Sequence, residues 1–229
     1  MNTNDPAVCV VVPVRNEAGN IAPLVAEIAK ALDGQWRFEV VYVNDGSSDG
    51  TEAELKRLMG LHPWLRRVRH KQSCGQSAAV RSGVAVARAP VVVTIDGDGQ
   101  NDPAFIPALV RALEAGSPRV GLIAGQRTGR KSGGFKKLQS RVANAVRGAV
   151  LRDGTRDSGC GLKAFRRDLF LALPYFDGLH RFLPALVRRE GYDIGYVDVA
   201  DQDAPIHVAD EDVVQITADG AGNIDKHFI

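Results

Sequence analysis

Cysteine is scarce in this sequence: its 229 residues hold three, Cys9, Cys74 and Cys160, far apart and in no pairing pattern. That excludes a disulfide framework and a zinc site of clustered Cys and His, and it fits a reducing cytosol. Long apolar runs are lacking too. No segment reaches the roughly 20 apolar residues of a membrane span, and the start, MNTNDPAVCVVVPV, is neither a basic leader nor a signal-peptide core. The expectation is a soluble protein, or one held at most on a membrane surface. Phosphate loops of the Gly-Lys-Ser/Thr type and the Gly-x-Gly-x-x-Gly loop are both absent, which argues against P-loop and dinucleotide chemistry. Net charge is small as well, at +2, so nothing in the overall balance points to nucleic acid.

What charge there is lies unevenly. Between Arg127 and Arg167 twelve basic residues face only Asp153 and Asp157, whereas from Asp193 onward nine acidic residues face Lys226 alone. The middle of the chain suits an anionic partner, and the end has a different status.

Strand-like and helix-like runs alternate from the start. Ala7–Pro13, Phe38–Asn44, Leu65–Arg69 and Pro90–Asp96 read as strands, three of them almost continuously apolar as interior parallel strands are. Helical patterns over Asn20–Leu32, Ser48–Met59 and Gln76–Ala87 separate them, giving a doubly wound α/β half of Rossmann type. The remainder reads as a helix over Pro103–Ala115, a strand over Arg119–Gly125 and a mobile Gly, Lys and Arg-rich loop over Gln126–Gly134. An amphipathic helix over Phe135–Leu151, the segment Cys160–Arg166, a helix around His180–Glu190 and a strand over Tyr192–Val199 follow. With 45% hydrophobic residues the chain can bury one large core, and a single domain is expected.

Ligands of parallel sheets collect where the loops leave the carboxyl ends of the strands. Here those ends read PVRNE (Pro13–Glu17), NDGSSDGT (Asn44–Thr51) and DGDGQ (Asp96–Gln100). Each alone fits either a turn and helix cap or a binding loop. Together they bring acids and amides from three loops to one edge, with Gly97 and Gly99 allowing the backbone close to a ligand. Carboxylates and amide oxygens are hard ligands for Mg²⁺ or Mn²⁺, which are commonly shared with a substrate diphosphate.

PVRNEAGNI, VNDGSSDGT, IDGDGQNDP, Gly125-x-Arg127-x-x-Arg130, DSGCGLKAFRR and LHRFLPALVRREGY occur in that order. The sequence thereby resembles the polyprenyl-phosphate glycosyltransferases, the group of dolichol-phosphate mannose synthases, over roughly residues 8–199. The resemblance implies an α/β GT-A fold, Rossmann-like, in one domain with a mostly parallel central sheet. It implies an inverting transfer of a sugar from a GDP-mannose or UDP-glucose type donor to a polyprenyl phosphate, with Mg²⁺ or Mn²⁺, on the cytoplasmic face of a membrane.

Carried over by position, it has Pro13, Asn16 and Glu17 lining the nucleotide and Asp45 reading the base edge or ribose. Asp96 and Asp98 form the Asp-x-Asp pair, with Asp98 and Gln100 foremost as metal contacts. Arg127 and Arg141 hold a diphosphate or acceptor phosphate, Arg130 and Lys163 position it, and Asp157 serves as base for a hydroxyl acceptor. Cys160 reads as a small buried residue, and His62, His70, His180 and His207 as ordinary surface or capping residues. The nucleotide-binding half is expected at about 1–125 and the acceptor half at about 126–200. The acidic stretch 201–229 departs from the resemblance, which has a basic phosphate-binding segment there. That departure keeps open a second reading, a nucleotide-sugar-binding protein with little or no turnover.

Overall fold

The computed structural model describes residues 5–127 and 159–200. Arg130, Arg141 and Asp157, the helix expected over Phe135–Leu151, the loop beyond Arg127 and the stretch 201–229 lie outside the described residues.

The first half builds as its periodicity demands. Strands β1 (Val8–Val14), β2 (Phe38–Asp45), β3 (Leu65–His70) and β4 (Val91–Thr94) alternate with helices α1 (Ala18–Leu32), α2 (Thr51–Met59) and α3 (Gln76–Val86). A 3-10 turn at Pro103–Phe105 leads into α4 (Ile106–Ala115), followed by β5 (Val120–Arg127). After the undescribed segment come β6 (Lys163–Arg166), α5 (Arg167–Ala172), α6 (Leu179–Arg189) and β7 (Asp193–Val199). All seven strands form one sheet in the order β3-β2-β1-β4-β6-β5-β7.

A strand sends successive side chains to opposite faces, so a continuously apolar strand must feed two cores. That is how β1 is used: Val8, Val10, Val12 and Val14 join the core under α1 and α4, while Cys9 and Val11 join the core under α3, α5 and α6. Val40 and Tyr42 of β2 divide from Val41 and Val43 in the same way, as do Val91 and Val93 of β4 from Val92. Helix α1 answers with Ile21, Leu24, Val25, Ile28 and Leu32, the three-and-four spacing of one buried stripe. Ile28 is fully buried, and truncating such a residue to alanine costs about 2–5 kcal/mol.

The chain order places the site. From β1 the sheet grows outward through β2 and β3, then returns to add β4 on the other side of β1, in parallel. The β1/β4 seam is therefore the topological switch point, and the crevice opens beyond Val14 and Thr94.

Two expectations need correction, and two elements had no reading in the sequence. Gln126 and Arg127 belong to β5, paired with Asp198 and Val199 of β7, so the basic loop does not begin at Gln126. Strand β4 ends at Thr94, and beyond Ile95, whose N–H still donates to Val11 O of β1, Asp96 leaves the ladder. The segment after Cys160 becomes a short strand running antiparallel to both neighbours, wedged between β4 and β5. It is followed by a short helix, α5, that had no periodic signal over its six residues. Among the described residues no helix is long and apolar enough to cross a membrane.

Candidate active site

Three loops at the switch point are fastened together by their own polar groups. Asn16 adopts φ 57°, in the left-handed region where asparagine is tolerated. Its N–H donates to Ser47 Oγ at 3.0 Å, and its Oδ1 accepts from Ser48 N at 2.9 Å. The Glu17 amide donates to Thr51 Oγ1 at 3.0 Å, and Asp49 caps both neighbouring helices by accepting from Thr51 N and Ala18 N. Asn16 is thus a clamp between loops and does not line the cavity, where Pro13, Arg15 and Glu17 do.

Asp45 sits at the end of β2, opposite His70 of β3 in the parallel register. It is 5% exposed, and its carboxylate accepts four hydrogen bonds: from His70 Nδ1 at 2.7 Å, Ser73 Oγ at 2.8 Å, Cys74 N at 2.8 Å and Gly75 N at 3.0 Å. Burial works to raise its pKa, but the hydrogen bonds from Cys74, His70, Ser73 and Gly75 outweigh that and hold it below the usual aspartate range. Two donors at each oxygen fill the capacity of a carboxylate. Its contact to a nucleotide base, expected from the sequence, therefore has no free lone pair to use in this arrangement. What Asp45 does is shape the turn Ser73–Gly75, which walls the same cavity. His70, expected as an ordinary surface residue, is part of this network: its Nε2 also meets Ser82 Oγ at 2.9 Å.

Asp96 is the opposite case. It accepts one side-chain hydrogen bond, from Gln76 Nε2 at 2.8 Å. Burial pushes its pKa up; Lys163 counters this, Asp98 adds to it, and Arg127 and the Gln76 bond oppose it again. The two glycines beside it serve different ends. A Cβ on Gly97 would fall 2.3 Å from Val14 Cγ1, so the close approach there is to β1 and not to a ligand. Gly99 is needed for its φ of 75°. The turn they make lets Asp98 Oδ1 accept from the Gln100 amide at 3.1 Å, and Gln100 itself lies outside the cavity lining.

The DSGCG motif finds its reason here. A Cβ on Gly161 would lie 2.2 Å from Asp96 Oδ2, so only glycine lets this backbone run beside the carboxylate. Thr94 Oγ1 fixes it by donating to Gly161 O at 2.8 Å. Cys160 is buried as expected, and its carbonyl accepts from Nζ of Lys163, itself only 5% exposed.

Two adjoining cavities result, and Asp96, Pro13 and Gln76 line both. The outer one, about 390 Å³, is bounded by Arg15, Glu17, Asp45, Ser73 and Asp98. The inner one, about 270 Å³, is bounded by Cys160, Lys163, His180 and Arg181. Arg127 at the end of β5 is near enough to act on Asp96 electrostatically but lines neither. Missing from the sequence reading were Arg15, Ser73 and Gln76, and His180 was read there as an ordinary residue; Arg15 stands inside PVRNE and His180 inside LHRFLPALVRREGY, so both could have been found by their motifs, whereas Ser73 and Gln76 come from segments without one.

A pair of acids at a switch point, with hard oxygens and little internal compensation on Asp96, fits a divalent cation of the Mg²⁺ or Mn²⁺ kind. Comparison with known proteins agrees with the fold and the motifs. The chain belongs to glycosyl transferase family 2, whose model matches residues 9–173. It is 36% identical over 192 residues to a dodecaprenyl-phosphate galacturonate synthase of Rhizobium johnstonii, covering 81% of this chain and 56% of that protein. It is 33% identical over 182 residues to an undecaprenyl-phosphate 4-deoxy-4-formamido-L-arabinose transferase of Edwardsiella ictaluri, covering 78% and 55%. The chain thus spans about half the length of these curated relatives. A mannosyltransferase of Pyrobaculum calidifontis, solved with GDP-Man and Mn²⁺, superposes with a TM-score of 0.66 at 25% identity, over 87% of this chain and 57% of that one. A glucosyl-3-phosphoglycerate synthase of Mycobacterium tuberculosis shares the GT-A fold at a TM-score of 0.65 and 22% identity, over 85% and 70%.

Proposed function

We propose that this chain is the catalytic part of an inverting, metal-dependent glycosyltransferase that moves a sugar from a nucleoside-diphosphate sugar to a polyprenyl phosphate. The observation that carries the reading is Asp96 on the wall shared by the two cavities with Asp98 beside it in the outer one, burial holding the Asp96 charge in a costly state that a cation relieves. The relatives named above supply the lipid-phosphate class of acceptor by their own names.

In this reading the outer cavity takes the nucleotide against Pro13, Glu17 and the Ser73–Gly75 turn, and Asp98 and Asp96 hold Mg²⁺ or Mn²⁺. A bound cation stabilises the negative charge that grows on the leaving diphosphate. A phosphate monoester acceptor, with a second pKa of about 6, is already largely anionic at neutral pH, so positioning matters more than a base. Lys163 and Arg127, with Arg130 and Arg141 of the undescribed segment, are the cations available to position it. Asp157 stands as base only if the acceptor is a hydroxyl. Residues up to about 125 form the nucleotide half and those from about 126 to 200 the acceptor half, with 201–229 apart from both. A lipid acceptor places the protein at a membrane surface, on the cytoplasmic face where sugar nucleotides are available.

The test is direct: the protein is incubated with radiolabelled UDP- and GDP-sugars, Mn²⁺ and a short-chain polyprenyl phosphate. Label should pass into the organic phase, and do so only with metal present. Binding of sugar nucleotide without transfer to any lipid phosphate would replace this reading with that of a binding protein.

A further inference from the structure

Ser77 and His180, separated by 103 positions, meet beside the inner cavity with Ser77 Oγ 2.7 Å from His180 Nδ1. Ser77 is fully buried, at 0% exposure. Its Oγ also accepts from the Gly178 amide at 3.0 Å. A hydroxyl has one proton to give, and an amide N–H cannot receive it. His180 Nδ1 is the one acceptor in reach among the described residues, so the Ser77 hydrogen points there.

The ring is neutral at ordinary pH, because burial first, and then Arg181 and Lys163, push its pKa down to about 4. A neutral imidazole that accepts at Nδ1 carries its hydrogen on Nε2. That Nε2 is buried and has no hydrogen-bond partner among the described residues. Buried donors are almost always satisfied, and this one belongs to a residue that lines the inner cavity, where a group arriving from outside can meet it.

The cavity narrows the identity of that group. At about 270 Å³ it is the smaller of the two cavities, near the lower end of the roughly 300–1,000 Å³ range of ligand sites, and has room for a single ring. It adjoins the outer cavity through Asp96, and His180 is absent from the outer lining. Resting on the glycosyl-transfer reading, we propose that His180 Nε2–H donates to a ring-borne oxygen, hydroxyl or carboxylate, of the sugar being transferred, and that Ser77 fixes the tautomer that makes this possible. His180 then selects for the sugar and leaves nucleotide affinity alone.

Calorimetry with Mn²⁺ tests this on the full chain and on His180→Phe, His180→Gln and Ser77→Ala, using UDP, GDP, UDP-glucose, UDP-galacturonate, GDP-mannose and inorganic phosphate, with thermal melts to verify folding. A lost hydrogen bond predicts that His180→Phe binds the preferred sugar nucleotide about tenfold more weakly while UDP or GDP affinity stays unchanged. Glutamine, which keeps an N–H donor, should restore part of the loss, and Ser77→Ala should show a loss of the same kind but a few-fold only. Equal affinity in His180→Phe, an equal loss for nucleotide and sugar nucleotide, or a loss confined to phosphate would overturn the role of His180 and leave the transferase reading standing. Binding of bare nucleotides but no sugar nucleotide would also overturn it. No binding of any nucleotide to the unaltered protein would overturn the transferase reading, and the role of His180 with it.

Discussion

The ends of β2 and β4 each carry an aspartate, and the molecule uses the two in opposite ways. Asp45 is closed on itself by four donors from β3 and the turn after it. Asp96 receives one among the described residues, and shares its surroundings with a second acid, Asp98. Both stand at the switch point and both line the outer cavity, so position alone does not separate frame from chemistry. Hydrogen-bond saturation does: a satisfied carboxylate holds the loops in place, and an unsatisfied one is available to a ligand.

The largest effect expected from breaking this contrast is catalytic. Asp98→Ala should lower transfer of label to polyprenyl phosphate on the order of 10²–10³-fold, and titration with UDP or GDP should lose its dependence on Mn²⁺. An unaltered rate, or nucleotide binding that is the same in EDTA, would remove the metal from the site.

Next comes stability, where the two aspartates should differ in sign. Asp45→Ala strands four donors and should cost about 2–4 kcal/mol by urea unfolding. Asp96→Asn removes a charge whose folded-state pKa is raised, so at neutral pH it should gain up to about 1 kcal/mol, a rise in Tm of about 2–4 °C, while abolishing metal binding. Equal losses from both would erase the distinction.

Acidity sharpens the same comparison. The folded pKa of Asp45 is depressed, so its stabilising contribution is present above the unfolded value and is lost only as pH falls through the lower folded one. That of Asp96 is raised, so protons displace the cation at a higher pH than an ordinary aspartate would allow. Mn²⁺ affinity followed by calorimetry should therefore decline on acidification before the fold itself weakens; a simultaneous decline would contradict the assignment.

The smallest effect belongs to His180. With a folded pKa of about 4 against an ordinary 6.5, the unfolded chain binds the extra proton between those values, so this residue makes stability rise with pH across that window. His180→Phe should flatten the Tm-against-pH curve there relative to the parent, and parallel curves would argue against a buried neutral ring.

Much of the frame was legible because it is local. The unbroken valines of β1 announce a strand buried on both faces, and the stripe of α1 announces its packing face. Asp96 and Asp98 were legible by motif. The direction of β6 was not, since four residues, KAFR, carry no signal that separates parallel from antiparallel. Nor was the closure of Asp45, whose partners lie 25 to 30 positions away, or the meeting of Ser77 with His180 across 103. Hydrogen-bond saturation is a property of the assembled loops, and a sequence lists donors without saying whom they serve.

Gly161 has a consequence of another kind. Its backbone occupies the space beside the Asp96 carboxylate, where any side chain would collide, and Thr94 ties it there from 67 positions away. The acid belongs to the first half of the chain and the glycine to the second, so a side chain at 161 could be admitted only by moving the Asp96 carboxylate from its present place. An exchange at 161 therefore acts on the seat of the cation through Asp96, and a foreign second half joined to this nucleotide half would have to bring a bare backbone to this point or leave that carboxylate turned away.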